Sequence, residues 1–202
     1  MVTRRRLLQS AGRAAGAFGA LSAFGGVTAI GLSSLASAVT VGEDGLHKQP
    51  WFYDSFMIVS EDIEESESAG KRFAMLFEQK GCPYCKQLHE VNFVDPDLVA
   101  YTKDHFNVLQ VNIWGSREVT DVDGTVMEEK ELARRWRVNF TPTMVFLPRV
   151  LPAGAESGRA IEVARMPGYF NPNYFRAMLE YVQGEVYERD TFQRFLQTRS
   201  QG

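Results

Sequence analysis

The chain of 202 residues has two cysteines, Cys82 and Cys85, in the run Gly81-Cys82-Pro83-Tyr84-Cys85-Lys86. Two thiols three positions apart can serve as half of a zinc site, as a small structural disulfide, or as a reversible dithiol. Zinc takes four ligands. The chain has no second cysteine pair, and His47, His89 and His105 show no paired spacing, so a metal would need a second chain. A disulfide closing so short a loop adds little stability. The surroundings favour the reversible dithiol. Phe73-Ala74-Met75-Leu76-Phe77 is a run of five apolar residues suited to a central strand covered on both faces. Pro83 has a preset φ and no N–H to lose, which fits a first helical turn. Cys82 then sits at a helix N-terminus, where unpaired N–H groups and the positive dipole end favour a thiolate. Cys85 lies one turn deeper and less exposed.

Three neighbours could tune these sulfurs. Glu78 precedes Cys82 by four residues, Lys86 follows Cys85, and His89 lies four beyond Cys85 on roughly the same helical face. The plainer reading of His89 is local packing or a local hydrogen bond.

The elements that must hold the pair follow from pattern. Residues 59–70 read as an exposed acidic helix ending near Gly70. Asp95-Pro96-Asp97 opens a helix after the dithiol segment, and Phe106 to Ile113 reads as a strand. Residues 114–127 are an insertion with a hairpin turn at Asp123-Gly124. Asp121-Val122-Asp123-Gly124 lacks the acid spacing of a calcium loop. Residues 128–137 form a helix with acids early and arginines late, which complements its dipole. In Phe140-Thr141-Pro142-Thr143, a proline heads a strand. Either the Thr141–Pro142 bond is cis with the turn facing the dithiol, or a trans proline starts an edge strand. Sequence alone leaves both open. Ala160 to Arg165 reads as a strand pairing with 143–148, ended by Gly168. Asn171-Pro172 starts a helix that stops at Gly184, and a last short helix spans about 186–197.

Composition sets the wider limits. Apolar residues make up 45% and aromatics 12%, enough for a substantial core. Residues 1–38 hold four arginines and no acid. The chain's 22 basic side chains less these four leave 18 against 25 acidic ones, a balance of −7. So acidic a chain is a poor nucleic-acid binder. Residues 1–38 read as an export signal of twin-arginine type. Thr3-Arg4-Arg5-Arg6-Leu7-Leu8-Gln9 leads into a Gly/Ala/Ser-rich apolar stretch, and Ala36-Ser37-Ala38 offers cleavage after about Ala38. An uncleaved anchor is the alternative, and the one route to a membrane. Residues 39–54 read as a flexible lead, with Trp51, Phe52, Tyr53, Phe56 and Met57 as an aromatic cluster packing onto the domain. The expected domain spans 55–185, with a C-terminal helix and tail over 186–202. Export places the protein in the periplasm, where disulfides persist.

The element order and motifs resemble the thioredoxin superfamily over about residues 55–185. The matching features are the strand–Cys82-Pro83-Tyr84-Cys85–helix unit, Thr141-Pro142 about 60 residues later, a closing hairpin, and Gly168 before the last helix. More narrowly, the chain is similar to periplasmic thioredoxin-related proteins of the SoxW/SoxS type. That likeness rests on Phe77 to Cys85, Asn112-Ile113-Trp114-Gly115 with Arg117 to Asp121, Glu128 to Arg135, and Thr141-Pro142-Thr143. The resemblance implies an α/β thioredoxin-like fold, a central mixed sheet with flanking helices, carrying an N-terminal helical extension. It implies Cys82 as the attacking thiol, Cys85 as the resolving thiol, a cis Pro142, and substrate contacts at Pro83, Tyr84, Thr141 and Pro142. It implies no cofactor or metal. The partners implied are a protein disulfide, which a sulfur-oxidation carrier protein would supply, and a membrane thiol transporter as electron donor. One departure is at the position six before Cys82, where the family's buried acid is replaced by Leu76, with Glu78 the nearest substitute.

The expected function is therefore an exported thiol–disulfide oxidoreductase acting as a reductase. Two alternatives compete. A periplasmic oxidase carries a long helical insertion, for which 114–127 is too short, and a dimeric isomerase carries a dimerisation domain, for which 39–56 is too short. A non-catalytic binding module would have no need of two intact cysteines.

Overall fold

The computed structural model describes residues 39–199. The export signal expected over 1–38 and the last three residues of the expected tail lie outside the described residues. A short hairpin, β1 (Thr40–Val41) with β2 (His47–Lys48), leads into helix α1 (Val59–Ser68). Strand β3 (Arg72–Glu78) follows, then helix α2 (Pro83–Gln87), which continues through a π-helical turn over Leu88–Asn92. Helix α3 (Pro96–His105) and strand β4 (Phe106–Asn112) come next, then the hairpin of β5 (Glu118–Thr120) and β6 (Val126–Glu128). Helix α4 (Glu129–Arg135), strand β7 (Thr143–Phe146), the helical turn α5 (Gly158–Ile161) and strand β8 (Ala164–Pro167) complete the sheet layer. Helix α6 (Pro172–Gln183), a 3₁₀ turn over Val186–Glu188 and helix α7 (Phe192–Arg199) finish the described chain.

The main sheet has the order β4-β3-β7-β8. β3 runs parallel to β4, from Arg72 opposite Phe106 to Glu78 opposite Asn112. It runs antiparallel to β7, with Phe77 opposite Thr143, and β7 pairs antiparallel with β8. Every residue of β3 is buried, as its unbroken apolar run predicts for a strand with both faces covered. Ala74 and Leu76 face one core with Leu88, Phe93, Phe175 and Leu179. Phe73, Met75 and Phe77 face the other, with Ile63, Leu132 and Trp136. This is the thioredoxin-like fold, a central mixed sheet flanked by helices, and α1 is its N-terminal helical element.

Four local differences from the sequence reading have physical causes. Residues 39–54 carry more structure than a flexible lead: Lys48 Nζ bonds Gln110 Oε1 at 2.8 Å, Gln110 Nε2 bonds the His47 carbonyl at 2.7 Å, and Trp51 and Phe52 pack edge-on to Phe93. Phe56 does not join that cluster and stands almost fully exposed. The strand expected from Ala160 starts instead at Ala164, because Ser157 caps a helical turn by accepting the Ala160 N–H. The C-terminal helix begins at Phe192 rather than near 186, after the 3₁₀ turn. Phe192 and Phe195 rest on the Tyr181 ring. The Asp123-Gly124 turn does close the β5–β6 hairpin, with Gly124 at φ 81°.

The two aspartates of that hairpin serve structure. Asp121 is fully buried and accepts bonds from Trp136 Nε1 at 3.0 Å, the Gly158 N–H at 2.9 Å and the Val122 N–H at 2.8 Å. Asp123 is bonded by both Arg135 guanidinium nitrogens, which hold its carboxyl well below the usual carboxylate range.

Candidate active site

The parallel β3–β4 pair ends at Glu78 and Asn112, and antiparallel β7 begins at Thr143, so three connections meet at one end of the sheet. The Gln79 to Gly81 turn delivers Cys82 there. Cys82 takes the helix N-cap position with φ −77° and ψ 114°, and Pro83 occupies the first helical turn. Cys82 and Cys85 are joined as a disulfide, with Cα atoms 5.2 Å apart. The Cys85 N–H donates to Cys82 Sγ at 3.1 Å.

The Thr141–Pro142 bond is cis, and the turn faces the dithiol, so the first of the two readings left open by the sequence is the one realised. Cys82 Sγ lies 3.4 Å from the Thr141 carbonyl oxygen and 3.4 Å from its hydroxyl. The Gly168 N–H donates to the Pro142 carbonyl at 2.7 Å and fixes the turn from the β8 side. The cover that Thr141 gives Cys82 leaves that residue 7% exposed, against 2% for Cys85. The attacking position is thus more sheltered than a bare helix N-terminus predicts, though still the more open of the two. Pro83 and Tyr84 are exposed beside it, Thr141 is half-buried and Pro142 is buried.

At the dithiol end of β3 lies a buried polar chain. Glu78 projects from β3 on the same face as Leu76, and its carboxylate oxygens lie 3.1 and 3.2 Å from His89 Nε2. His89 Nδ1 lies 3.1 Å from Gln49 Nε2. With that amide as donor, Nδ1 is the acceptor and Nε2–H points at Glu78. Gln110 Nε2 donates to Glu78 at 2.5 Å. All four residues are buried. His89 therefore bonds to a strand eleven residues back, where local packing was the plainer expectation. The π-helical turn that carries His89 departs from α-helical register, which shifts its ring from the simple i+4 position. The His47 ring lies tilted beside it, ring centres 5.4 Å apart, and burial together with His89 pushes His47 below the ordinary imidazole value. Lys86 points to solvent, with Nζ 3.7 Å from Glu90. Among the described residues no group of three or more His, Cys, Asp or Glu is disposed to hold a metal ion.

The sequence reading missed Gln49, Gln110 and Trp114. Gln110 and Gln49 are ordinary polar residues until folding brings a strand and the N-terminal segment against Glu78 and His89. Trp114 stood in a quoted motif, yet only the fold shows its ring exposed beside the dithiol turn, held by Nε1 to Gln79 Oε1 at 2.7 Å.

A sheet of this order, a helix-capping cysteine pair and a facing cis-proline turn define a thioredoxin-fold protein. The thioredoxin-like domain profile matches residues 59–183, and the chain belongs to that family. No curated protein matches the chain. Among solved structures it is similar to a thioredoxin-fold protein from Helicobacter pylori, at 23% identity and TM-score 0.57, covering 74% of this chain and 92% of that one. It is also similar to a thioredoxin from Thermus thermophilus, at 32% identity and TM-score 0.45, covering 65% and 85%. A third is the oxidised C-terminal domain of DsbD from Neisseria meningitidis, at 12% identity and TM-score 0.42, covering 64% and 96%.

Proposed function

We propose that the protein is an exported thiol–disulfide oxidoreductase that reduces disulfides of partner proteins. The observation that carries this reading is the position of Cys82 Sγ, between the Cys85 N–H and the Thr141 hydroxyl. Both can donate to a thiolate, so the reduced sulfur is favoured as a nucleophile. In the first step the Cys82 thiolate attacks one sulfur of a partner disulfide. A Cys82–partner bond forms, the partner's own S–S bond breaks, and the departing thiolate takes up a proton. Cys85 then gives up its proton and attacks Cys82. The Cys82–Cys85 bond forms and the second partner sulfur leaves as a thiolate that protonates. Two electrons and two protons pass to the partner. Pro83, Tyr84 and Pro142 line the approach, and the Thr141 main chain pairs with the substrate. Glu78 and His89 form the buried acid–base pair that serves the resolving sulfur, and Lys86 adds only a solvent-exposed charge.

The finer reading is a periplasmic protein of the SoxW/SoxS type, acting on a sulfur-oxidation carrier protein and recharged by a membrane thiol transporter. It rests on the motifs in 77–85, 112–121, 128–135 and 141–143, and on the export signal read in 1–38. The expected result for Cys82→Ser is complete loss of insulin reduction; reduction that persists in that variant removes Cys82 as nucleophile. Cys85→Ser is expected to trap the mixed disulfide with the physiological partner, identifiable by mass. A measured potential near about −120 mV, the range of strong oxidants, would turn the reading from reductase to oxidase.

A further inference from the structure

The dithiol end of the sheet carries three large exposed aromatic rings: Tyr84 (58% exposed), Trp114 (66%) and Phe140 (66%). Exposed rings of this size grouped at one end of a domain mark a contact surface. In the strand order β4-β3-β7, Trp114 follows β4, Cys82 follows β3 and Phe140 precedes β7, so the tryptophan and the phenylalanine flank the sulfur on opposite sides. Trp114 is held outward. Its indole N–H is bonded to Gln79 and its main-chain N–H to Asn112 Oδ1 at 3.0 Å. The loop beneath it is anchored by the buried Glu129 carboxylate, which accepts the Asn112 N–H at 2.9 Å and Arg117 Nη2 at 2.6 Å. A Cβ at Gly115 would lie 2.0 Å from that carboxylate, so only glycine lets the loop close over it. A pre-positioned ring loses little entropy on binding.

The connecting segments at this end are themselves basic, while Glu43 and Asp44 lie on the β1–β2 turn that packs on Lys80 through Gly45, with Asp44 paired to Lys48. The connecting segments 79–87, 113–117, 139–142 and 167–171 contain Lys80, Lys86 and Arg117 and no Asp or Glu, in a chain with an acidic excess. Lys80 has no carboxylate partner among the described residues; Lys86 and Arg117 have Glu90 and Glu129. Thr141 N–H makes no backbone hydrogen bond among the described residues, which leaves a main-chain donor beside Cys82 for an added extended segment.

We propose that this end docks an extended, acidic segment of a partner protein, with Trp114 and Phe140 receiving apolar side chains on either side of the partner's cysteine. This rests on the exchange reading and names the chemistry of its substrate. The test compares reduction by the reduced full chain of two disulfide-linked peptides of equal length. One has Asp, Glu and Leu around its cysteine, the other Lys and Ser, and bis(2-hydroxyethyl) disulfide is the uncharged small reference. The acidic apolar peptide is expected to react about tenfold faster than the basic one at low salt, with the gap narrowing as salt rises. Trp114→Ala and Lys80→Glu are each expected to lower the ratio of the acidic-peptide rate to the reference rate by about tenfold. Equal peptide rates in the natural chain, or a preference that survives both substitutions, overturns the proposal. If the natural chain fails to reduce even the small reference, the exchange reading itself falls. Docking is then decided by titrating the Cys82→Ser chain with the acidic peptide carrying serine for cysteine. A saturable tryptophan fluorescence change that disappears in Trp114→Ala supports it, and no saturation overturns it.

Discussion

At the scale of residues, the proposed exchange asks the dithiol and its buried neighbours to divide the work of two thiol steps. Cys82 needs donors to hold a negative sulfur, and it has the Cys85 N–H and the Thr141 hydroxyl. Cys85 is nearly inaccessible, so on the exchange reading its proton needs an internal acceptor, a role we assign to the buried Glu78–His89 pair. On the exchange reading, Glu78→Gln keeps the shape and removes the acceptor. Release of partner from the mixed disulfide is then expected to slow about tenfold or more in single-turnover measurements, with its pH profile altered. The alkylation rate of Cys82 is expected to stay within about twofold, because its donors are untouched. Unchanged release would confine Glu78 to a structural role. The cysteine pair was legible in the sequence because a motif of local spacing carries it; the cis Pro142 was expected only through the family resemblance. The Glu78–His89 bond was not, because it depends on a π-helical turn and on the pleat of β3.

At the scale of elements, the insertion after β4 is tied into the fold through two buried carboxylates, Glu129 at its first loop and Asp121 at its hairpin. Asp121 joins β5, the Trp136 indole and the start of α5. Gly158 packs so close to that indole that an added Cβ would lie 1.9 Å from the ring. Trp136 is fully buried against Phe77 and has no room to yield. Gly158→Ala is therefore expected to destabilise the fold by about 2 kcal/mol or more, read as a lower urea midpoint with an unchanged slope. The β5–β6 hairpin was legible from Asp123-Gly124. The helical turn in place of a strand near 160 was not. Ser157 caps it locally, and Gly158 at its start bonds Asp121 and packs on Trp136, both distant in sequence.

At the scale of the whole molecule, burial sets how stability responds to pH. Asp62 in α1 is buried beside Ser55, whose hydroxyl lies 2.7 Å from both carboxylate oxygens. Burial, reinforced by the charges of Glu65 and Glu61 and only partly offset by Ser55, pushes its value from 3.8 up to about 6. The folded protein thus binds this proton more tightly than the unfolded chain. The contribution is full below about pH 4, falls as pH rises to about 6, and is flat above that, a change of up to about 3 kcal/mol. Asp123 and Glu185 act in the opposite sense, since Arg135 holds the first well below the carboxylate range and Arg149 with Arg72 lowers the second. The expected outcome is that Asp62→Asn removes the loss between pH 4 and 6 while the acid-side loss remains, measured by denaturant unfolding across pH. An unchanged slope would show Asp62 ionised in both states. The sequence by itself determined the cysteine pair, the central strand and the family's element order, because apolar periodicity, proline and cysteine spacing act over a few residues. Only tertiary structure decided which polar groups are buried together, which aromatics stay outside and how far Cys82 is covered, because those outcomes depend on faces meeting across the sheet, and no local pattern encodes which partner will be there.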